Sequence, residues 1–447
     1  MSPIQQMFLG LGAASDSYWW VLFGDMDNNQ EKFNDMHLDS SDNIYATGFT
    51  TNGPNGGNDG IATKWDKDGA LQWQRAHGAG SDNDKWFGSS VDSSGNLWCY
   101  GQDTTNYRMT YGKLTTSNQS WSLSKRYNYS SSRAGQGCNG VGGYASYGFA
   151  CGSTTSLNKQ GWVWGHNSSG NNSGGSKLTA GDNTDGSGTA RQVAPACICA
   201  AKSGGDIHAA GYIEDLTWNS QSRNVGFIVK LNDYAGALTW QRFIGTNYTN
   251  IGGIDTDSSD NVYVAGQDND GTGTKAFVAK YNSSGTIQWQ RRLGTPCDGG
   301  TYAIAVDDDG NSYSCGKVAT GQHGWIAKLD TSGSTSWCRT FKTSVTADEE
   351  ELQQIRLDSG GNLVICGHHR DDAESSDIAL LMRLPSDGSF TGTYGIFTFT
   401  AATPTNADAS MTTSSDSHIT RATNQVDPVS FTIDQDTPSF ETTLQEI

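Results

Sequence analysis

Residues 240–289 begin on a tryptophan, pass through four strand-like runs separated by turn residues, and end on a second tryptophan that opens a close copy at 289–337. This repetition constrains the fold more than any other feature. One four-stranded sheet has two faces to bury and nothing of its own to cover them, so the copies must stack on one another. Two phrases mark each copy. The first is Asn, four residues, Gly, ending at Gly48, Gly101, Gly266, Gly316 and Gly367. Asp206 heads the copy ending at Gly211, and Tyr147 takes the Asn place before Gly152. The second is an apolar strand ending in Lys or Arg, a Gly-containing turn, then Trp, as at Trp73, Trp121, Trp240, Trp289 and Trp337. Steps from Trp73 to Trp121, Trp240 to Trp289 and Trp289 to Trp337 are 48, 49 and 48 residues. The 119 residues from Trp121 to Trp240 hold two units and an insertion. The third unit is the poorest, with Trp162 followed by a Gly/Asn/Ser-rich connector to about Gly188.

A period of about 40–50 residues with four strands per unit predicts an all-β fold, a β-propeller of four-stranded antiparallel blades. Five strict and two degenerate copies predict seven blades. Tyr18 to Gly24 resembles the segment at Trp240 without a preceding unit, so it is expected to pair with the last unit and close the ring. Residues 1–15 then project as a leader, 16–395 form the propeller, and 396–447 are a Thr/Ser-rich tail or small β element. Acidic turns beginning at Asp39, Asp92, Asp257, Asp307 and Asp358 precede the Asn-to-Gly strands. Asp and Asn suit such turns because their side chains bond the local backbone and tolerate left-handed φ. The turn from Asp307 is not an EF-hand loop, since Val318 stands where the twelfth-position glutamate would be, and the turns read as structural.

Forty-six aromatic residues (14 Trp, 17 Tyr and 15 Phe) supply buried surface without long aliphatic runs. Net charge is −18, and no cluster of Lys and Arg offers a phosphate-binding surface, which argues against nucleic acid as a partner. No run approaches the roughly 18 apolar residues that would insert in a membrane. Nine cysteines do not make a disulfide framework. Cys151, Cys315 and Cys366 sit before the repeat glycine where other units carry Ala210 and Ala265, so they read as buried small hydrophobes. Cys197 and Cys199 have no zinc spacing around them, and neither a metal nor a cofactor is expected.

The Gly-x-x-x-Trp phrase after an acidic turn and a strand resembles the tryptophan-docking repeat of PQQ-like, YVTN and SBBP-type propellers, nearest to the SBBP type, over about residues 18–395. That resemblance implies architecture and says little of activity. The vicinal cysteines of PQQ enzymes are absent, and three residues rather than the two of a sialidase Asp box separate Gly69 from Trp73. The opening MSPIQQMFLGLGAA resembles leaders of marine bacteriophage structural proteins, particularly those of cyanophages. It implies a non-enzymatic virion component, a tail fibre, spike or decoration subunit. Its partners would be other virion proteins and a host surface glycan or protein, in a symmetric homo-oligomeric assembly. The alternatives are a secreted or envelope-associated bacterial propeller binding carbohydrate or protein, extracellular or periplasmic, and a polysaccharide-degrading tail spike.

Antiparallel connectivity puts the short acidic turns on one face and the long variable connections on the other, which is the expected recognition face. Tyr107, Tyr212, Trp218, Tyr248, His368 and His369 are the binding candidates there. Against them stand blander readings: Tyr212 and Trp218 cover an insertion, and His368 and His369 sit on an ordinary surface loop. Glu214/Asp215, Asp371/Asp372 and the run Glu349, Glu350, Glu351 read as solvated acidic loops, since glycoside hydrolysis needs two carboxyls at a defined separation. No catalytic set is expected.

Overall fold

The computed structural model describes residues 6–9, 18–24, 30–51, 57–78, 83–103, 108–117, 119–126, 132–139, 148–154, 160–169, 172–180, 192–218, 221–232, 236–318, 323–345, 348–371, 376–409, 411–415, 419–423 and 429–430. Their regular structure is all β. The chain opens with β1 (Gln6–Leu9) and β2 (Tyr18–Phe23). A first antiparallel meander follows, β3 (Glu31–Leu38), β4 (Ile44–Thr50), β5 (Asp59–Trp65) and β6 (Leu71–His77). The next comprises β7 (Asp84–Val91), β8 (Leu97–Asp103), β9 (Arg108–Thr115) and β10 (Ser120–Arg126). Then come β11 (Ser132–Asn139), β12 (Gly148–Thr154), β13 (Gly161–His166) and β14 (Asn172–Ala180). The chain continues as β15 (Val193–Ala200), β16 (Ile207–Trp218), β17 (Gln221–Leu231) and β18 (Leu238–Gly245). After these lie β19 (Tyr248–Thr256), β20 (Val262–Asn269), β21 (Thr274–Tyr281) and β22 (Ile287–Leu293). A parallel bridge from Asn224 to Tyr248 joins this meander to the one before it. Then follow β23 (Gly300–Val306), β24 (Ser312–Lys317), β25 (Gly324–Leu329) and β26 (Thr335–Lys342). The last repeat supplies only β27 (Glu349–Leu357), β28 (Leu363–Asp371) and β29 (Ser376–Leu384), and β2 pairs with β29 in the place of its fourth strand. Short strands end the chain: β30 (Gly392–Tyr394), β31 (Phe397–Ala402), β32 (Asn406–Asp408), β33 (Thr412–Ser414), β34 (Ile419–Thr423) and β35 (Val429–Ser430).

Each meander buries both faces against its sequence neighbours, and β3 packs against β27, β28 and β29. The joints between them repeat. The Trp240 indole donates to the carbonyl of Ser283 at 3.2 Å, Trp289 to Thr331 at 3.0 Å and Trp337 to Ser386 at 3.1 Å. Each acceptor lies in the turn that follows the third strand of the next meander. Gly285, Gly333 and Gly388 hold positive φ in those turns, and a Cβ on any of them would press on the ring. Glycine is required there twice over, by conformation and by space. The arginine two residues after each Trp completes the joint: Arg242 donates to the carbonyl of Ser284, Arg291 to that of Ser332 and Arg339 to that of Gly388. Trp19 on β2 makes the same bond to Lys67 at 3.0 Å. Trp121 departs from the pattern and donates backward to Ala76 at 3.0 Å.

Inside each meander the acidic turn acts as a second fixed part. Asp39 Oδ1 accepts from the amides of Ser41 and Asn43, and Oδ2 accepts from the Asn43 side chain and the Tyr45 hydroxyl. Asp92, with Trp98 in place of Tyr, and Asp257 repeat the arrangement. Lys64, Lys113, Lys280 and Lys328 lie over the aromatic ring of their own unit at 5.0, 5.1, 4.8 and 5.0 Å. The turn carboxylates are thus occupied from within.

The repeat glycines answer a different demand. Opposite Gly48, Gly101, Gly211, Gly266, Gly316 and Gly367 the first strand carries a β-bulge. The bulge turns a carbonyl of that strand onto the glycine, so a Cβ would collide with the oxygen of Lys32, Lys85, Ala194, Asn250, Gly300 or Glu351 respectively. Such bulges re-aim the side chains around them.

Four expectations change. The connector after Trp162 contains β14, the fourth strand of its meander, invisible because it lacks the Trp phrase. Residues 212–223 form a long hairpin in which β16 and β17 pair to Trp218 and Gln221. The leader does not simply project: β1 pairs with β2 over Gln6 to Leu9. The described part of the tail is not a separate β element either. Its strands add to the outer edges of successive sheets in reverse order, β31 on β26, β32 on β22, β33 on β18, β34 on β14 and β35 on β10.

Two outcomes test these roles. Gly266→Ala, which needs a backbone shift, is expected to cost about 2–3 kcal/mol in denaturant titration, whereas Gly204→Ala, where a Cβ meets nothing within 4 Å, should stay within about 0.5 kcal/mol. Equal effects would remove the bulge argument. Ending the chain after residue 403 bares the edges of β22, β18, β14 and β10, so light scattering should show self-association absent from the full chain. A dispersed truncated protein would show that the edges need no cover.

Candidate recognition face

Connections alternate between the two ends of an antiparallel meander. At one end lie the Asp-turns and the Gly turns beneath each Trp. At the other lie the second-to-third strand connections and the passages between meanders. The two large hydrophobic residues exposed among the described residues, Tyr248 at 43% and Val345 at 50%, both lie in passages between meanders and so at this second end. Tyr248 opens β19, and its hydroxyl accepts from Asn250 Nδ2 at 3.2 Å. Tyr212 is half-buried on β16, opposite Ala194 and Gly226. Tyr107 lies outside the described residues, as does the side chain of Trp218.

His368 and His369 are not on a loop. They belong to β28, which runs past the repeat glycine to Asp371, and both are buried. The strand continues because β27 pairs with it residue for residue from Glu349 to Leu352. The glutamates opposite are therefore not a solvated run: Glu350 is fully buried, and Glu349 meets Lys317 at 2.6 Å. The equivalent strands also continue past Gly101 and Gly266, to Asp103 and Asn269. Aligning the units on their glycines would have exposed this signal.

These residues form a polar cluster where the β27–β29 sheet meets β3. Lys32 Nζ lies 3.0 Å from Asp377 Oδ2 and 3.2 Å from His368 Nε2. His369 Nδ1 lies 3.3 Å from Glu350 Oε1, in ion-pair range though off the hydrogen-bond line. Glu350 Oε1 also accepts from the Thr343 amide at 3.4 Å, and the Thr343 hydroxyl donates to Asp348 at 2.6 Å. His368 Nδ1, Glu350 Oε2 and Asp377 Oδ1 are buried without a hydrogen-bond partner. Burial, reinforced by the charges of Lys32 and Lys317, holds His368 well below the ordinary histidine range. Burial raises the Glu350 carboxyl, opposed by His369. On the neighbouring sheet Lys85 lies 3.9 Å from the Phe49 ring centroid, its pKa lowered by burial and by the charge of Lys32.

The cluster is polar but buried. No nucleophile with an oriented base stands out among the described residues. Among the described residues no group of three or more His, Cys, Asp or Glu is arranged to hold a metal ion.

No protein-family model matches the chain, and no curated protein matches it. Solved structures do. Hydrazine synthase from Kuenenia stuttgartiensis superposes with a TM-score of 0.52 at 9% identity, covering 80% of this chain and 95% of that one. The β-propeller domain of the trilobed protease from Pyrococcus furiosus gives 0.45 at 8%, covering 80% and 98%. The polysaccharide lyase Uly1 gives 0.49 at 9%, covering 85% and 97%. Identities this low speak to fold alone. The stacked four-stranded antiparallel sheets, each packed on its neighbours in sequence, make the chain a β-propeller repeat protein.

Acid should destabilise it through buried imidazoles. Burial holds His166 and His208 neutral down to a pKa of about 3, and both rings lack hydrogen-bond partners. His37 and His368 are lowered in the same direction. Below pH ~6.5 the unfolded chain takes up protons that these native rings exclude, so stability falls with pH at up to about 1.4 kcal/mol per unit for each ring. The raised carboxyls of Asp35, Asp255 and Glu350 act in the opposite sense, their ionisation penalty easing as they protonate. Thermal midpoints should drop between pH 6.5 and 4, and less steeply in His166→Phe, which keeps the stack on Tyr111. Identical pH slopes would exclude His166 as a cause.

Proposed function

We propose that the chain is a seven-bladed propeller, closed by β2 as the fourth strand of the last blade, that serves as a non-enzymatic structural protein of a marine bacteriophage virion. In this reading it is a tail-associated fibre, spike or decoration subunit, presenting the variable-loop face to a host surface glycan or protein. The single observation that carries the recognition role is the asymmetry of the two faces. On one, the turn carboxylates are consumed by their own hydrogen bonds, leaving little for a ligand. On the other, Tyr248 is exposed and buried polar atoms of His368, Glu350 and Asp377 lack partners.

Closure is supported by the pairing of β2 with β29 and by the Trp19 bond to Lys67, the joint that Trp289 makes to Thr331. These indole joints also support the tryptophan-docking subtype, SBBP- or PQQ-like. The virion assignment rests on the resemblance of residues 1–14 to phage leaders. Extended edge strands at both ends of the chain give it places to join a larger assembly.

Mass spectrometry of purified particles should find the chain as a stoichiometric component, and its absence there would end the virion reading. For the face, Tyr248→Ala combined with Val345→Ser should weaken adsorption to host cells about fivefold or more. Ser40→Glu combined with Ser93→Glu, on the Asp-turn face, should leave it unchanged. The reverse pattern would move recognition to the other side.

A further inference from the structure

No disulfide joins any of the nine cysteines and all are buried, yet two of them are in contact. Cys297 lies in the passage from β22 to β23, and Cys338 lies in the middle of β26. Their sulfurs are 3.3 Å apart. Both belong to one apolar cluster with Ala276, Leu293 and Trp325, and both are fully shielded from solvent. Position is fixed on each side. The Cys297 amide donates to Gly294 at 2.8 Å and its carbonyl accepts from Ala276 at 3.4 Å, while Cys338 is held in register between Ala327 and Ala402.

We infer that Cys297 and Cys338 are an oxidation site that closes to an intramolecular disulfide. Reaching a bond length of ~2.05 Å asks about 1.3 Å of sulfur movement, within reach of side-chain rotation in the passage that carries Cys297. The reaction is two thiols plus dioxygen giving one disulfide plus hydrogen peroxide. Both S–H bonds break, one S–S bond forms, and two electrons and two protons pass to oxygen. The contact with Cys338, together with burial, keeps the Cys297 thiol protonated, so oxidation waits on local opening of the passage, and a chain folded in a reducing cytoplasm closes only after exposure to an oxidising medium.

The link would span 41 residues and enclose β23 to β26. It would also fix the start of the C-terminal strands: Cys338 pairs with Ala402, and the Gly294 amide donates to Thr405 at 2.8 Å. Constraining a loop of this length raises the thermal midpoint, by about 2–5 °C for a chain of this size.

The test uses the full native chain, purified with reductant and then exposed to air with copper–phenanthroline as catalyst. Alkylation after denaturation is expected to label nine thiols before oxidation and seven after it. A linked pair of tryptic peptides, 293–317 with 329–339, should appear and vanish on reduction. Cys338→Ala and Cys297→Ser should each give eight labelled thiols before and after, with no gain in midpoint. Nine labelled thiols after oxidation of the folded wild type, or a link from Cys297 to any other cysteine, would overturn the inference. Peptide 293–317 also carries Cys315, so fragment-ion sequencing of the linked wild-type pair, which separates Cys297 from Cys315, decides the matter even if a variant fails to fold.

Discussion

The fold depends on one joint, the half-buried indole that packs on its own sheet's core while its N–H finds a turn carbonyl in the next sheet. The ring supplies apolar area and the N–H supplies direction. The bond therefore ties each sheet to one neighbour at one register. A glycine clears space beneath the ring and an arginine two residues on adds charge-assisted bonds to the same turn. Sheets that could slide on a greasy interface are thereby held at a fixed angle. Trp19 shows that the joint does not require chain continuity, since it sits on a strand placed far from the rest of its sheet in sequence.

Much of this was legible before any coordinates, because the governing constraints are local. A tight turn needs Asp, Asn or Gly within a few residues, and Trp stands a fixed distance from its turn, so repetition of the fold appears as repetition of letters. The repeat glycines were equally visible but their cause was not: it lies in the bulge of the preceding strand, about sixteen residues upstream. What the letters concealed is non-local. β14 carries no signature residue, the edge pairing of β32 to β35 is set by backbone alone, and the burial of Glu350 and His369 follows from strands that continue past their expected ends. Polar residues such as these look like loop until the partner strand is known.

The acidic balance also reads differently against the structure. Cations are few and are spent inside the units, as lysines over aromatic rings that also bond the turn carboxylates. The remaining acidic residues set the surface field. Lys32 follows the same rule, its charge answered by Asp377 at 3.0 Å.

The strands from β31 to β35 have a mechanical meaning. They follow the outer edges of the sheets against the order of synthesis, so the last described strand lies on the second sheet. A pull on the C-terminus would not load them together in shear. It would peel them singly, β35 from β10 with two paired residues, then β34 from β14 with five, then β33 from β18 with three. Each release lengthens the free tether by a few residues while the stacked sheets behind it keep their joints. The rim would yield like a zip while the body stays rigid.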